Sequence, residues 1–242
     1  MKWAIGFLKS SIGAKFVMAI TGFMLIGFVL AHMVGNLQIF MGQQAEVEGG
    51  MIAAREALNA YGNFLQHGTH GLIWVLRLGL LGAFAAHIAA AVRVILLNRQ
   101  ARQMEYKVTR YQKSTVMSRY MAMSGIVVLA FLIFHLVHFT FGSIQVESYN
   151  LMDPEGRHDV YNMVVLGFQN GSVSGAYIIA QVLLALHLGH AASSMLQTLG
   201  IFHRKYNPII RSVGGLVGVT VFFGNVSIPM LVLLGFVQPS GV

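Results

Sequence analysis

Five stretches of this chain are apolar for long enough to cross a bilayer, and short polar segments separate them. They cover about residues 15–40, 72–97, 119–144, 173–199 and 211–236, each above the roughly 20 residues that a helix needs to span the hydrocarbon. A backbone in hydrocarbon must satisfy its own hydrogen bonds, so these stretches are predicted to be helices. The predicted fold is all-α: an integral membrane bundle of five transmembrane helices, forming one domain over residues 1–242. Two intervening segments are patterned as well. In 51–66, Met51, Ala54, Leu58, Tyr61 and Leu65 share one helical face while Arg55, Asn59 and Asn63 lie elsewhere, and 158–168 is a shorter amphipathic run. Both are expected either to lie along the membrane interface or to pack on the ends of spans. Gly22, Gly27, Gly79, Gly82, Gly125, Gly189 and Gly218 fall inside spans, where they allow close helix packing or room for a flat cofactor.

Charge refines this picture. Only 10% of the residues are charged, too few to cover the surface of a water-soluble domain of this length. Lys2, Lys9 and Lys15 precede or open the first span. Arg93, Arg99, Arg102, Lys107, Arg110, Lys113 and Arg119 flank the second connection, and Arg204, Lys205 and Arg211 the fourth. The opposite side carries Glu46, Glu48, Glu56, Glu147, Asp153, Glu155 and Asp159, with Arg55 and Arg157 among them. By the positive-inside rule the N-terminus is expected in the cytoplasm and the C-terminus outside, in a multi-pass protein of the cell's inner (cytoplasmic) membrane. The net charge of +8 follows from this topology, so no nucleic-acid partner is expected. The first apolar stretch is too long for a signal-peptide core and contains His32, Asn36 and Gln38, so it is expected to be retained.

The chemistry lies in the histidines. There is no cysteine, which excludes thiolate-held iron–sulfur clusters, disulfides and covalently attached c-type haem. Six of the ten histidines (His32, His87, His135, His138, His187 and His190) lie inside spans one to four, where an imidazole is costly unless it is bonded to something. Their depths pair them. His32 lies about eight residues from the outer end of span one, and His135 and His138 about nine and six from the outer end of span three. His87 is about ten residues from the inner end of span two, and His187 and His190 about twelve and nine from that of span four. Two bis-histidine sites at two levels are expected, each suited to a haem b that transfers electrons. Zinc or di-iron would want carboxylate or thiolate support at one depth, and the spans hold no Asp or Glu. His135/His138 and His187/His190 are each three residues apart, so both members of a pair face the same way. Depth leaves the first pair open and slightly favours His190 in the second.

This arrangement resembles the di-haem, five-span cytochrome b subunit of succinate:quinone oxidoreductases, a family that includes menaquinol:fumarate reductases. The resemblance covers nearly the whole chain. It is carried by Ala31-His32-Met33-Val34-Gly35-Asn36, Ala86-His87-Ile88, Phe134-His135-Leu136-Val137-His138-Phe139, and His187-Leu188-Gly189-His190-Ala191-Ala192-Ser193-Ser194 followed by Gln197-Thr198-Leu199-Gly200. It implies that His32 and His135 hold the iron of an outer, distal haem b and His87 and His187 that of an inner, proximal one, with Ala191 standing where the family often has glycine. It also implies a flavoprotein subunit and an iron–sulfur subunit on the cytoplasmic side, docked on the basic loops with 102–113 the foremost contact. This chain would then be the membrane subunit of succinate dehydrogenase/fumarate reductase, without dicarboxylate catalysis of its own, passing electrons to or from a membrane quinone, expected to be menaquinone.

The remaining candidates are polar groups near the span ends. Arg77 in span two is expected to meet a distal haem propionate; snorkelling to the outer interface is the competing expectation. Arg93, Ser118 and Arg119 are placed for proximal propionates or for ordinary flanking of a span. His138 and His190 are expected to bond propionates or neighbouring groups if they are not ligands. Gln66-His67-Gly68-Thr69-His70 supplies polar groups for an outer quinone site through His67 and His70, with Arg77 a further candidate, and an inner site near the iron–sulfur partner is the alternative. Two other functions remain open: the haem b subunit of a hydrogenase- or formate dehydrogenase-type oxidoreductase, and a haem-free membrane anchor or transporter.

Overall fold

In the computed structural model the described residues are 6–7, 10–42, 47–102, 104, 114–201 and 203–241. Lys2, Lys9, Glu46 and nearly all of the expected docking segment 102–113 fall outside them. The described residues form α1 (Ser11–Asn36), α2 (Val47–Asn63), α3 (Leu72–Ala101), α4 (Val116–His135), α5 (Val160–Gln169), α6 (Gly171–Thr198) and α7 (Asn207–Leu233). Five of these, α1, α3, α4, α6 and α7, are long and apolar enough to cross a membrane once short continuations of α1 to Phe40 and of α4 to Thr140 are included.

Most spans begin two to four residues before the apolar pattern suggests, because polar capping residues precede the hydrophobic run. Ser10 Oγ accepts from the Gly13 amide at 3.0 Å, Thr115 Oγ1 from Ser118 at 3.1 Å, and the Asn170 side-chain oxygen from Ser172 and Val173 at 3.0 and 3.2 Å. Each supplies an acceptor for otherwise unmade helix N–H bonds. Exposed large side chains such as Leu78, Leu81, Ile126 and Phe223 run along the outer sides of the bundle, as lipid-facing positions should.

α6 is central. It packs against α1, α4 and most extensively against α7, while α3 packs on α1. The α6–α7 approach is backbone to backbone: a Cβ on Gly218 would stand 2.7 Å from the Ala185 carbonyl, and one on Gly189 3.2 Å from that of Gly214. Small residues substitute for the hydrophobic drive that lipid does not provide.

The two amphipathic segments are packed helices. α2 buries Ala54, Leu58 and Asn59, and α5 buries Tyr161, Val165 and Phe168, in one core with Ile39 of the α1 end and Val232 of α7. Asn59, expected away from the apolar face, is fully buried. Its amide donates to Asp159 at 3.0 Å and to Asp153 at 3.3 Å, and its oxygen accepts from the Tyr161 N–H at 3.0 Å. Asp159 also takes Arg55 Nη2 at 2.6 Å and Nε at 3.0 Å, and caps α5. The Asp159 carboxyl is desolvated, which alone would raise its pKa, but the hydrogen bonds from Arg55, Asn59 and Asn162 bring it below the usual range. Arg157 bridges Asp153, Glu155 and Glu56, and its hydrogen bonds hold the Glu56 carboxyl low. The chain after α7 folds back onto this cap: Tyr161 Oη donates to the Gln238 carbonyl, and Asn162 exchanges two hydrogen bonds with Ser240.

Candidate functional site

The four histidines expected as ligands fall into two groups. In the first, His32 of α1 and His135 of α4 meet with ring centres 5.9 Å apart and ring planes nearly perpendicular. Metal–nitrogen bonds of about 2 Å on either side of one ion would put the centres of two facing imidazoles roughly 6 Å apart. The spacing of this pair would thus let the two residues hold one metal ion between them. His32 is exposed along α1 and stacks on Phe28 at 5.5 Å.

Hydrogen bonds distinguish His135 from His138. His138 is 2% exposed, and both of its nitrogens are taken. Nε2 donates to the Gln145 amide oxygen at 2.7 Å, which leaves Nδ1 as an acceptor. The Tyr177 hydroxyl donates into that Nδ1 at 3.0 Å, and the Tyr177 oxygen in turn accepts from His135 Nδ1 at 3.2 Å. One directed chain thus runs from Gln145 to His135 and fixes the His135 tautomer with Nε2 carrying a free lone pair. A widened, π-helical turn over Leu136–Thr140 follows His135 and turns His138 toward Tyr177 and Gln145.

The second group, His87 and His187, repeats this logic on two helices at once. His87 Nδ1 lies 3.1 Å from Thr21 Oγ1, and the Thr21 hydroxyl gives its own proton to the Val17 carbonyl at 2.7 Å. The threonine oxygen is then the acceptor, and His87 Nδ1 the donor. Ser124 does the same for His187: its hydroxyl donates to the Met121 carbonyl at 3.0 Å, and its oxygen accepts from His187 Nδ1 at 2.9 Å. A glycine adjoins each hydroxyl. Cβ atoms on Gly22 and Gly125 would meet the His87 and His187 rings at 3.4 and 3.6 Å. Thr21-Gly22 of α1 thus cradles His87 of α3, and Ser124-Gly125 of α4 cradles His187 of α6. With Nδ1–H engaged, each ring is left with Nε2 as its lone-pair nitrogen. Such outer partners hold a metal-binding imidazole in one tautomer and one orientation.

His190, favoured over His187 by depth alone, has its Nε2 bonded to Ser194 Oγ at 3.1 Å one turn further along α6. It faces a groove between α4, α6 and α7. Among the described residues no hydrogen bond engages His187 Nε2, whereas that of His190 is taken, so the geometry favours His187 as the partner of His87. Gly27, Gly79 and Gly82 open onto free space, which suits a flat group beside α1 and α3.

The other candidates lie apart. Arg77 is exposed and stands over the Trp74 ring at 4.9 Å, the position of a side chain reaching along the membrane edge. Arg93 lies on the last third of α3. His67 is exposed, bonds Asn63 Oδ1 at 3.0 Å and shares a small cleft with His158 and Gln66, while His70 is exposed with a positive φ of 46°. Burial lowers the His158 pKa against the opposing pull of Asp159. Among the described residues no three His, Asp or Glu side chains gather as a metal cluster.

Sequence reasoning did not single out Thr21, Ser124, Tyr177 or Gln145. Polar side chains on spans beside histidine-bearing helices were the available signal, but their partners lie on other helices and have no fixed spacing in the chain. Scans against protein-family models, curated proteins and solved structures find no match to this chain.

Proposed function

We propose that this chain is the di-haem b membrane anchor of a succinate:quinone oxidoreductase, passing electrons between an iron–sulfur partner on its basic face and a quinone in the membrane. The observation that carries the haem reading is the pair of two-histidine sites in which His135, His87 and His187 are each tautomerically fixed with Nε2 free. Haem iron ligated on both faces supplies one-electron transfer without an open position for oxygen chemistry. The chain's own residues orient and insulate. Thr21, Ser124 and Tyr177 hold three imidazoles by their Nδ1–H groups, and His138 and Gln145 hold Tyr177. The family assignment, the flavoprotein and iron–sulfur partners, menaquinone and the cytoplasmic placement of the basic face rest on the motif resemblance and on the charge asymmetry of the loops.

A pyridine haemochrome assay on the purified protein tests the reading. About two haems b per chain are expected, one for each histidine pair. H135A and H187A should each retain about one, while a His138→Gln variant should keep both. Absence of haem from the native protein refutes the proposal. Two haems without a co-purifying flavoprotein subunit would move the chain to a hydrogenase- or formate dehydrogenase-type complex.

A further inference from the structure

A groove of about 770 Å³ runs along the basic-face half of the bundle, between α4 and α7 and floored by α6. Its volume is within the roughly 300–1,000 Å³ of small-molecule sites, and it is an open groove rather than an enclosed cavity. Its construction is one-directional. The part nearer the middle of the spans is lined by Val182, Leu186, Val219 and Phe222, while Gln197 and Arg211 lie at the end where α6 stops and α7 begins. The space exists because α4 and α7 both pack on α6 and α7 presents glycine there. Gly218 is pressed to the Ala185 carbonyl, but a Cβ on Gly215, which also lines the groove, would meet nothing within 4 Å.

We propose that this groove binds one anionic phospholipid, with its phosphate at Arg211 and one acyl chain along Gly215, Val219 and Phe222. No ion pair engages Arg211 among the described residues, and no Asp or Glu lines the groove. An arginine at the end of an apolar trough at the membrane edge calls for an anion whose tail is apolar. Thr115 and Ser118 of the α4 end and Ser193, Ser194 and Gln197 of α6 join Arg211 at the same end of the groove, as suits a polar headgroup with an apolar tail, whereas a quinone ring calls for an enclosed slot. The basic loops on this face would draw anionic headgroups to the same level. This site is independent of what the histidines hold.

The test is the phospholipid retained by the whole complex, purified in mild detergent, washed and extracted for mass spectrometry. About one anionic phospholipid per chain should survive washing in the native protein. Arg211→Gln should lower that retention about five-fold, the worth of one basic side chain at an anionic surface, and Arg211→Lys should restore most of it. Gly215→Leu fills the groove without touching the core and should expel the lipid while leaving the haem content unchanged. Unchanged anionic-lipid retention in Arg211→Gln and Gly215→Leu overturns the proposal. So does release of quinone, rather than phospholipid, by Gly215→Leu.

Discussion

On the proposed di-haem reading, replacing Ser124 by alanine removes one hydroxyl and little else, and it should raise the potential of the His87/His187 centre alone. Ser124 Oγ accepts from His187 Nδ1 at 2.9 Å, and the residue is 6% exposed, so bulk water does not replace the lost acceptor. A hydrogen bond to a neutral group is worth about 0.5–1.5 kcal/mol and one to a charged group about 1.5–3 kcal/mol. Oxidised iron draws charge from its imidazole and makes Nδ1–H a stronger donor, so the oxidised state loses about 1 kcal/mol more than the reduced one. At about 59 mV per 1.4 kcal/mol for one electron, the centre should shift upward by about 40 mV. Thr21→Val, acting on His87 at 3.1 Å, should do the same, and the double variant should add to either. The assay is a potentiometric titration of the haem absorbance, with haemochrome quantification to establish that both haems are present. With both haems retained, an unmoved inner potential, or a shift in the outer centre instead, would refute the assignment of Thr21 and Ser124 as the partners of haem ligands.

Tyr177→Phe keeps the ring among Phe131, Phe134 and Phe168 but breaks the chain from Gln145 to His135; redox titration should show the outer centre raised by about 40 mV and the inner one unchanged. Asp159→Asn leaves Arg55 facing no charge in the outer cap and should cost about 3 kcal/mol, read as a lower Tm in detergent. The carboxyls of Asp159, Asp153 and Glu56 lie below their ordinary pKa values. Their contribution is therefore present above the ordinary carboxylate range and is lost as pH falls through the depressed values. His158 is held below its ordinary value, so its protonation on acidification also favours unfolding. Native Tm should therefore fall in two stages, below about pH 6.5 through His158 and again below about pH 4 through the carboxyls, and the second fall should be shallower in Asp159→Asn. Gly218→Ala drives a methyl to 2.7 Å from the Ala185 carbonyl and should destabilise by about 1–3 kcal/mol, whereas Gly215→Ala should leave Tm unchanged.

The spans were legible because hydrocarbon imposes length and apolarity on any helix that crosses it, and the depth of the histidines followed from counting along those helices. What counting could not resolve was the choice within each three-residue pair. His135 and His138 differ by one turn, and so do His187 and His190; the distinction lies in which nitrogens Tyr177, Gln145, Ser124 and Ser194 engage from other places in the fold. Asn59 shows the same limit outside the spans. Its position on the helix reads as polar and exposed, yet two aspartates more than 90 residues away fix it in the core.

The return of residues 237–240 onto Tyr161 and Asn162 has a consequence for biosynthesis. The other partners in the cap emerge before α7 is made. Until α7 is inserted and residues 237–240 follow it, Asn162 lacks its Ser240 partner and the core lacks Val237. A nascent chain stalled before α7 would thus leave this end of the bundle unsealed and open to quality-control proteases.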